Sequence, residues 1–383
     1  MTSSSDALGG CWPDARQNVL LRALLAPEPE ARAALQDWIH DADLARLDPG
    51  SWRLLPVLYR RAASLGIVHP TMRALKAAHR HHWVSSAKLF QTCGTVIDAL
   101  SAAGVDTLVL KGTALAVLYY DDVGSRPMSD IDIMIPLSQA HQATRVMEAR
   151  GWRPEFPPDT VIGDAYHGVA MMDSQHNEVD LHWHLLHECC QDHADDAFWT
   201  RSRPLTLRGV PTRALGPTDQ LLHILVHGVR WNEIPPIRWI VDAATVISVE
   251  RDNIAWDALV DEVVQRQLNY TTLRALRHLV DEHAVAVPGS AMARLEAAPV
   301  LRLQRREFAL KTQPYAGSFV APLEMLWHRH RRMVGGDLGP ALLGFPGFVQ
   351  RRLRCARPND VPARLAAIAV DHAREVLAQR KLG

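Results

Sequence analysis

The sequence changes its hydrophobic pattern at Val105, and this change limits the folds that the chain can adopt. Before Val105, apolar residues recur at three- and four-residue spacings, which is typical of helices. After it, the short run VDTLVL ends at Lys111-Gly112, and TALAVLYY returns to helical spacing. A second short run, DIDIMI at 130–135, alternates polar and apolar residues as a strand does. The sequence therefore predicts a small α/β unit inside a largely helical chain.

The same pattern divides the chain into three predicted regions. We predict an N-terminal helical region at 1–103, a mixed α/β core at 104–215, and a C-terminal helical region at 216–383. Within the core, GVAMMD and EVDLHWHLL flank the polar stretch SQHN, which predicts a hairpin. The predicted fold class is α+β, with a small mixed sheet between N- and C-terminal helical regions.

Composition and charge narrow the class of protein. The five cysteines lack a CxxC spacing, so we expect no disulfide framework and a cytoplasmic location. The N-terminus MTSSSDALGG lacks an apolar signal core, and no run of about 18 apolar residues predicts a membrane span. The formal net charge is zero, but residues 328–383 carry eleven Lys or Arg against four Asp or Glu. This basic tail is either a solvated helical face or a contact surface for an anionic partner.

Two carboxylates stand one residue apart in DIDIMI. Asp130 and Asp132 should share one face of the strand, because alternate side chains point the same way. In EVDLHWHLL the same rule places Asp180, His182 and His184 on one face. If the two strands are neighbours, three carboxylates come together, and divalent metals commonly relieve such repulsion. Mg²⁺ fits because it takes oxygen ligands and leaves room for substrate phosphates.

A simpler interpretation is that these are exposed edge-strand acids paired with Arg126 or Lys111. The neighbouring residues favour a site. Gly112-Thr113 stands at a strand-to-helix junction, where free backbone N–H groups can hold a phosphate. The glycine permits close approach of the backbone, and the hydroxyl of Thr113 offers one more donor. The order of this turn, the D-x-D strand and a later strand carboxylate indicates a site for phosphate and metal.

This ordered set resembles the nucleotidyltransferase superfamily typified by DNA polymerase beta. The superfamily pattern is a hydrophobic residue, Gly, then Gly or Ser, followed by a D-x-D strand and a third acid on a later strand. Here Thr113 stands where Ser is usual. The finer pattern, LKGTALA followed by RPMSDIDI and VDLHW, resembles an uncharacterised bacterial nucleotidyltransferase family with long helical flanks. These motifs cover about residues 108–185.

The resemblance implies a reaction and a role for each residue. Asp130 and Asp132 would bind two Mg²⁺ ions, and Asp180 would bind the catalytic ion and help activate the acceptor hydroxyl. Gly112 and Thr113 would hold the phosphates of an NTP, with ATP as the expected donor. The implied reaction moves NMP to an unknown hydroxyl-bearing acceptor and releases pyrophosphate. A small molecule, a peptide or protein side chain, and an RNA 3′ end all fit as acceptor.

Four further residues are candidates for the site. Lys111 precedes the phosphate turn and would bind nucleotide. Arg126 would pair with the triphosphate or neutralise the acids, unless it is a turn residue on the surface. His182 could orient the neighbouring acid or touch substrate, or it could be a packed polar residue. Asp242 lies on a mainly apolar helix, where it either pairs with a cation such as Arg238 or faces the cleft.

Two alternatives compete with these predictions. The dense cluster HWHLLHECCQDH could suggest zinc, but it lacks the two separated ligand pairs of a structural zinc site, so we do not favour it. The chain could also be a catalytically silent relative, either a nucleotide-binding protein or a regulatory partner protein. The presence of all three carboxylates favours an active enzyme. No pattern in the sequence indicates an oligomeric state.

Overall fold

The structure of the protein, a computed structural model, describes residues 10–313, 320–368 and 370. The predicted basic tail is described only in part, because residues 371–383 lie outside these ranges. The first nine residues of the polar N-terminus lie outside them too. Among the described residues, no helix is both long and apolar enough to cross a membrane.

A seven-stranded mixed sheet lies in the middle of the chain. Its strands are β1 (Leu108–Val109), β2 (Ile131–Met134), β3 (Arg153–Pro154), β4 (Gly168–Met172), β5 (Glu178–His182), β6 (Arg203–Leu207) and β7 (Val210–Ala214). Their order in the sheet is β3-β4-β5-β2-β1-β7-β6. The pairs β2–β5 and β1–β7 are parallel, and the other neighbours are antiparallel. The α+β class with a small mixed sheet is confirmed.

Helices precede, interrupt and follow this sheet. Those before it are α1 (Ala15–Leu25), α2 (Glu28–Asp41), α3 (Pro49–Trp52), α4 (Leu55–Ser64) and α5 (Thr71–Ala102). Those between strands are α6 (Lys111–Tyr119), α7 (Ala140–Glu148) and α8 (Asp196–Arg201). Those after it are α9 (Pro217–Gly228), α10 (Arg238–Val249), α11 (Trp256–Gln265), α12 (Asn269–His283), α13 (Gly289–Ala297), α14 (Arg302–Lys311), α15 (Val320–Met333) and α16 (Leu338–Arg352). Short 3-10 helices lie at Leu44–Arg46, Leu137–Gln139, Pro158–Thr160 and Pro358–Asp360.

The two central parallel strands owe their position to their apolar faces. Ile131 and Ile133 of β2 pack with Val179 and Leu181 of β5, and all four side chains are fully buried. The 32-residue helix α5 covers this face and contributes Ile97 to the same core. Burying each such side chain stabilises the fold by about 1.5–3 kcal/mol. Because side chains alternate along a strand, the residues between these apolar ones face the other side of the sheet.

The helices before and after the sheet share a second hydrophobic core. Leu20 of α1 belongs to one buried cluster with Leu225 of α9, Ile240 of α10 and Leu276 of α12. Helix α10 also packs on α6, the helix that follows β1. The core shared by the helices before and after the sheet thus includes α10, which packs on α6. The region boundaries at 103 and 215 stay predictions.

The last described helices return to the edge of the sheet near β4. The hydroxyl of Tyr166, just before β4, donates a hydrogen bond of 2.7 Å to the backbone oxygen of Arg352. Arg351 forms an ion pair of 2.7 Å with Asp164 in the same loop. These contacts place the end of α16 beside β4 and β5.

Candidate active site

Two carboxylates from neighbouring strands face each other at the centre of the sheet. Asp132 of β2 is the register partner of Asp180 of β5, because the two strands run parallel and in step. One oxygen of each carboxylate and one ring nitrogen of His182 all lie within 4.8 Å of one another. Asp132 and His182 are buried, and Asp180 is half-buried. The predicted neighbouring strands therefore bring together the second and third acids of the sequence pattern.

Asp130 lies outside this close group. We expected it in the strand with Asp132, but β2 begins at Ile131 and Asp130 occupies the bend before it. Sheet pairing starts only where β2 runs beside β5, so the residue before it is free to turn away from the strand direction. Its carboxylate accepts a bond of 3.3 Å from Ser129 Oγ. Asp130 still lines the same cavity as Asp132 and Asp180.

Lys111 pairs with the central acid. Its Nζ lies 2.5 Å from Oδ1 of Asp132, and His182 Nε2 lies 3.0 Å from the same oxygen. Two donors on Oδ1 leave Oδ2 of Asp132 without a hydrogen bond from any residue that the structure describes. The backbone of Lys111 has a φ of +42°, a left-handed conformation that costs about 1–3 kcal/mol for a residue with a side chain. Such strain is concentrated at functional sites.

The two paired carboxylates have pKa values shifted in opposite directions. Burial alone would raise the pKa of Asp132, but the charge of Lys111 and the hydrogen bond from His182 outweigh it and hold that pKa well below its usual range. Burial and the nearby charge of Asp132 raise the pKa of Asp180, although His182 opposes this. Asp132 is thus ionised at neutral pH, whereas Asp180 is the more basic of the pair.

The turn between β1 and α6 brings a helix N-terminus to the acids. Gly112 is the second residue of α6 and lines the cavity with them. A Cβ at this position would lie 2.8 Å from Arg126 Nη1 and 2.8 Å from Met128 Cβ, so only glycine fits. The predicted role of Thr113 is not supported by its position. Thr113 is 1% exposed, does not line the cavity, and its hydroxyl donates to the Met128 sulfur at 3.6 Å.

Arg126 and Asp242 form a buried ion pair. Nη2 of Arg126 lies 2.8 Å from Oδ2 of Asp242, and its Nε lies 3.2 Å from Oδ1. The hydroxyl of Tyr120 donates to Oδ1 at 2.7 Å. We expected Arg126 near the triphosphate or the acids and Arg238 as a partner of Asp242. Arg126 does line the cavity with the acids, but its guanidinium pairs with Asp242, and Arg238 donates to the backbone oxygen of Pro127 at 2.7 Å instead.

A cavity of about 560 Å³ contains these groups. Its cationic side chains are Arg53, Lys111, Arg126, Arg230 and Arg238. Its acidic side chains are Asp130, Asp132, Asp180 and Asp242. Burial and the charge of Arg126 lower the pKa of Arg238 to about 9, which still leaves it cationic at neutral pH. A cavity of this size and charge suits a polyphosphate whose metal ions balance the acids.

A family model described as "uncharacterised nucleotidyltransferase" matches residues 51–282, more than half of the chain. The chain belongs to this nucleotidyltransferase family. A solved structure, an antigenic nucleotidyltransferase-like protein from Paracoccidioides brasiliensis, is similar over 56% of this chain and 95% of its own, with 14% identity and a TM-score of 0.34. Among curated proteins, no sequence matches the chain.

Of the cationic residues that line the cavity, Arg53 and Arg230 were not predicted from the sequence, and Arg238 was predicted only as a partner of Asp242. Arg53 precedes α4, Arg230 follows α9, and Arg238 begins α10. Both of the last two lie in the segment ILVHGVRWNEIPPIRWIVDAA, which the family match includes. The sequence signal that could have identified them is the pair Arg230 and Arg238, which stand at the two ends of the loop between α9 and α10.

The dense histidine and cysteine cluster has other partners in the structure. His184 Nδ1 lies 2.7 Å from Asp195 Oδ2, and the thiol of Cys190 donates to the backbone oxygen of Leu186 at 3.5 Å. Strand β5 ends at His182, so His184 leaves the face that carries Asp180. Of this cluster, His182 alone belongs to the close group with the two carboxylates, within the part of the chain that the structure describes.

Proposed function

We propose that the protein transfers a nucleoside monophosphate from an NTP, with ATP as the expected donor, to a hydroxyl-bearing acceptor and releases pyrophosphate. The observation that carries this proposal is the pairing of Asp132 with Asp180 beside a helix N-terminus, in a cavity that five cationic side chains also line. Membership of the nucleotidyltransferase family supports it. The proposal includes magnesium dependence and a cytoplasmic location.

The residues at the centre fit a divalent cation. Two carboxylate oxygens and an imidazole nitrogen lie close enough to share one ion. Mg²⁺ prefers oxygen ligands, so Asp132 and Asp180 would hold it, while His182 positions Asp132 through Nε2. Asp130 and Asp132 would hold a second ion that accompanies the nucleotide. When bound, the ions polarise the phosphate oxygens and make the acceptor hydroxyl more acidic.

The side chains and backbone of the cavity supply the rest of the chemistry. The free N–H groups at the start of α6, around Gly112, face the phosphates, and Lys111 adds a positive charge there. The acceptor oxygen forms a bond to the α-phosphorus as the bond from that phosphorus to the bridging oxygen breaks. The proton of the acceptor hydroxyl passes to a carboxylate oxygen of Asp180. Pyrophosphate leaves with the bridging oxygen.

One observation favours the alternative, a catalytically silent nucleotide-binding partner. Lys111 Nζ lies 2.5 Å from Asp132 Oδ1 and already balances the charge that a metal would balance. A protein that uses Lys111 in place of a metal would bind NTP without Mg²⁺ and would not transfer it. In an active enzyme, the ammonium of Lys111 moves toward the phosphates when Mg²⁺ and NTP bind.

The test combines binding and turnover on the same variants. Calorimetry measures ATP affinity with and without Mg²⁺, and pyrophosphate release is followed with candidate acceptors. We expect Mg²⁺-dependent ATP binding that Asp132→Asn weakens, whereas Asp37→Asn, a change of an exposed acid, leaves it unchanged. ATP binding without Mg²⁺ and no pyrophosphate release with any acceptor would instead support the silent alternative. Absence of NTP binding under both conditions would refute the proposal.

A further inference from the structure

A second cavity, of about 390 Å³, meets the acids from the side of β4. Asp180 lines both this cavity and the larger one, and His182 lines the second. The Asp180 carboxylate therefore stands between two compartments. The second compartment also contains side chains from the end of the described chain, namely Arg329, Arg352 and Arg354.

Two of these arginines have aromatic neighbours but no acid. The guanidinium carbon of Arg352 lies 4.2 Å from the ring centre of Tyr166, and that of Arg354 lies 3.5 Å from the ring centre of Phe156. Within residues 10–313 and 320–368, neither guanidinium has an ion pair or a hydrogen bond to an acceptor. The aromatic rings hold the planar guanidinium groups in place and leave their N–H donors free for a ligand.

The third arginine is deeper and only partly satisfied. Arg329 is 3% exposed, and its Nη groups donate to His187 Nε2, to the backbone oxygen of Asp164 and to the sulfur of Cys190. Its Nε has no partner among the described residues. A buried guanidinium without a carboxylate is costly, so an anion in this cavity would stabilise it.

The charge of the cavity comes from these arginines. Burial lowers the pKa of both His167 and His187 well below the usual range, so both rings are neutral at pH 7. The acids in the lining are Asp180 and Glu155. Asp180 and Glu155 would repel an anion, and the three guanidinium groups outweigh these two acids in favour of a ligand that carries a negative charge.

We propose that the second cavity binds the acceptor, a small anionic molecule that carries a hydroxyl group together with a phosphate or carboxylate group. The anionic group lies between Arg352 and Arg354, and the hydroxyl is directed to Asp180 at the border with the nucleotide cavity. Guanidinium groups suit both anions because their forked N–H donors match the oxygen geometry. The cavity volume is in the range for a small molecule. The chemistry of this inference rests on the proposed function, but binding of the anion does not.

The test measures binding of simple probes to the full chain. Glycerol 3-phosphate and glycerate carry a hydroxyl and an anionic group, and glycerol is the neutral control. Calorimetry is run in the presence of Mg²⁺ and a saturating non-hydrolysable ATP analogue, and again without either. We expect one or both anions to bind and glycerol not to bind. The Arg352→Gln/Arg354→Gln variant should weaken anion binding about tenfold for each arginine.

Two further variants make the outcome decisive. Arg302→Gln/Arg357→Gln removes the same charge from exposed positions outside both cavities and should leave anion binding unchanged. The Arg352→Lys/Arg354→Lys variant keeps both charges but loses the forked donors, so it should recover part of the affinity, which a misfolded variant would not do. Equal binding by the parent and the Gln variant, or no binding of either anion to the parent, would overturn the inference.

The same titrations separate failure of this inference from failure of the proposed function. If the parent binds the ATP analogue with Mg²⁺ but anion binding is the same with and without Arg352 and Arg354, the proposed function stands and the acceptor site is wrong. If anion binding depends on the arginines but no nucleotide binds, the second cavity is an anion site and the proposed transfer reaction is wrong.

Discussion

The buried ion pair between Arg126 and Asp242 gives a prediction whose size follows from the structure. The side chains are 6% and 4% exposed, and two hydrogen bonds of 2.8 and 3.2 Å join them. Asp242→Asn removes the charge but keeps one acceptor, which leaves Arg126 buried without a counter-ion. Breaking a buried pair in this way costs about 3–5 kcal/mol, and the retained acceptor places the expected loss near the lower value.

The pKa of Asp242 gives the pH range of this effect. Burial tends to raise that pKa, but the charge and hydrogen bonds of Arg126 outweigh burial and lower it. An acid with a lowered pKa in the folded state contributes stability above its unfolded pKa and loses it as pH falls through the folded value. The contribution of the pair is therefore fully present at pH 7.5, where the comparison is made.

Urea unfolding at pH 7.5 measures the prediction. Asp242→Asn should lower the free energy of unfolding by about 3 kcal/mol, and Asp37→Asn, a matched change at an exposed position, by less than about 0.5 kcal/mol. The Arg126→Met/Asp242→Leu variant removes both charges and should recover most of the loss. A single variant that loses less than about 1 kcal/mol, or a double variant no more stable than the single one, would refute the reasoning.

Three further predictions concern the site. Gly112→Ala should lower both the melting temperature and NTP affinity, because its Cβ has no room, whereas Gly289→Ala, which meets open space, should lower neither; equal behaviour of the two would contradict this. Asp180→Asn should lose about 10²–10⁴-fold in transfer rate and keep much of its Mg²⁺-ATP affinity, while Asp132→Asn weakens both in single-turnover and calorimetric assays. Unchanged turnover in Asp180→Asn would show that Asp180 has a structural role only. Burial lowers the pKa of His223 to about 3, so the free energy of unfolding falls as pH drops below 6.5, where the unfolded chain takes up the proton. His223→Leu should remove about 2 kcal/mol of this fall between pH 7.5 and 5, as measured by urea unfolding. An identical pH profile of the variant and the parent would contradict this.

The parts of the fold that local patterns determine were predictable from sequence. The hairpin of β4 and β5 was predicted because two alternating runs flank a polar turn, and it is confirmed. The hairpin of β6 and β7 was missed because Pro204 and Pro211 argue against strands. Strand β6 is at the sheet edge, and β7 pairs with β1 only at Arg213 and Ala214, so neither proline interrupts the central ladder.

The site divides in the same way between local and distant information. The pairing of Asp132 with Asp180 could be inferred because strand alternation fixes the face of each acid. The partners Arg126 and Asp242 are 116 positions apart, and no spacing in the sequence connects them. The tight fit around Gly112 likewise depends on the later loop that brings Arg126 and Met128 against it. Such contacts follow from tertiary packing and not from local periodicity.

The central claim is that Asp132 and Asp180 hold a divalent metal together with an NTP. Anomalous diffraction from crystals soaked with Mn²⁺ and a non-hydrolysable ATP analogue tests it most directly. We predict a peak about 2.0–2.6 Å from an oxygen of each carboxylate, with Lys111 displaced from Asp132 toward the phosphates. A structure with the analogue bound, no anomalous peak at these acids, and Lys111 still paired with Asp132 would contradict the claim.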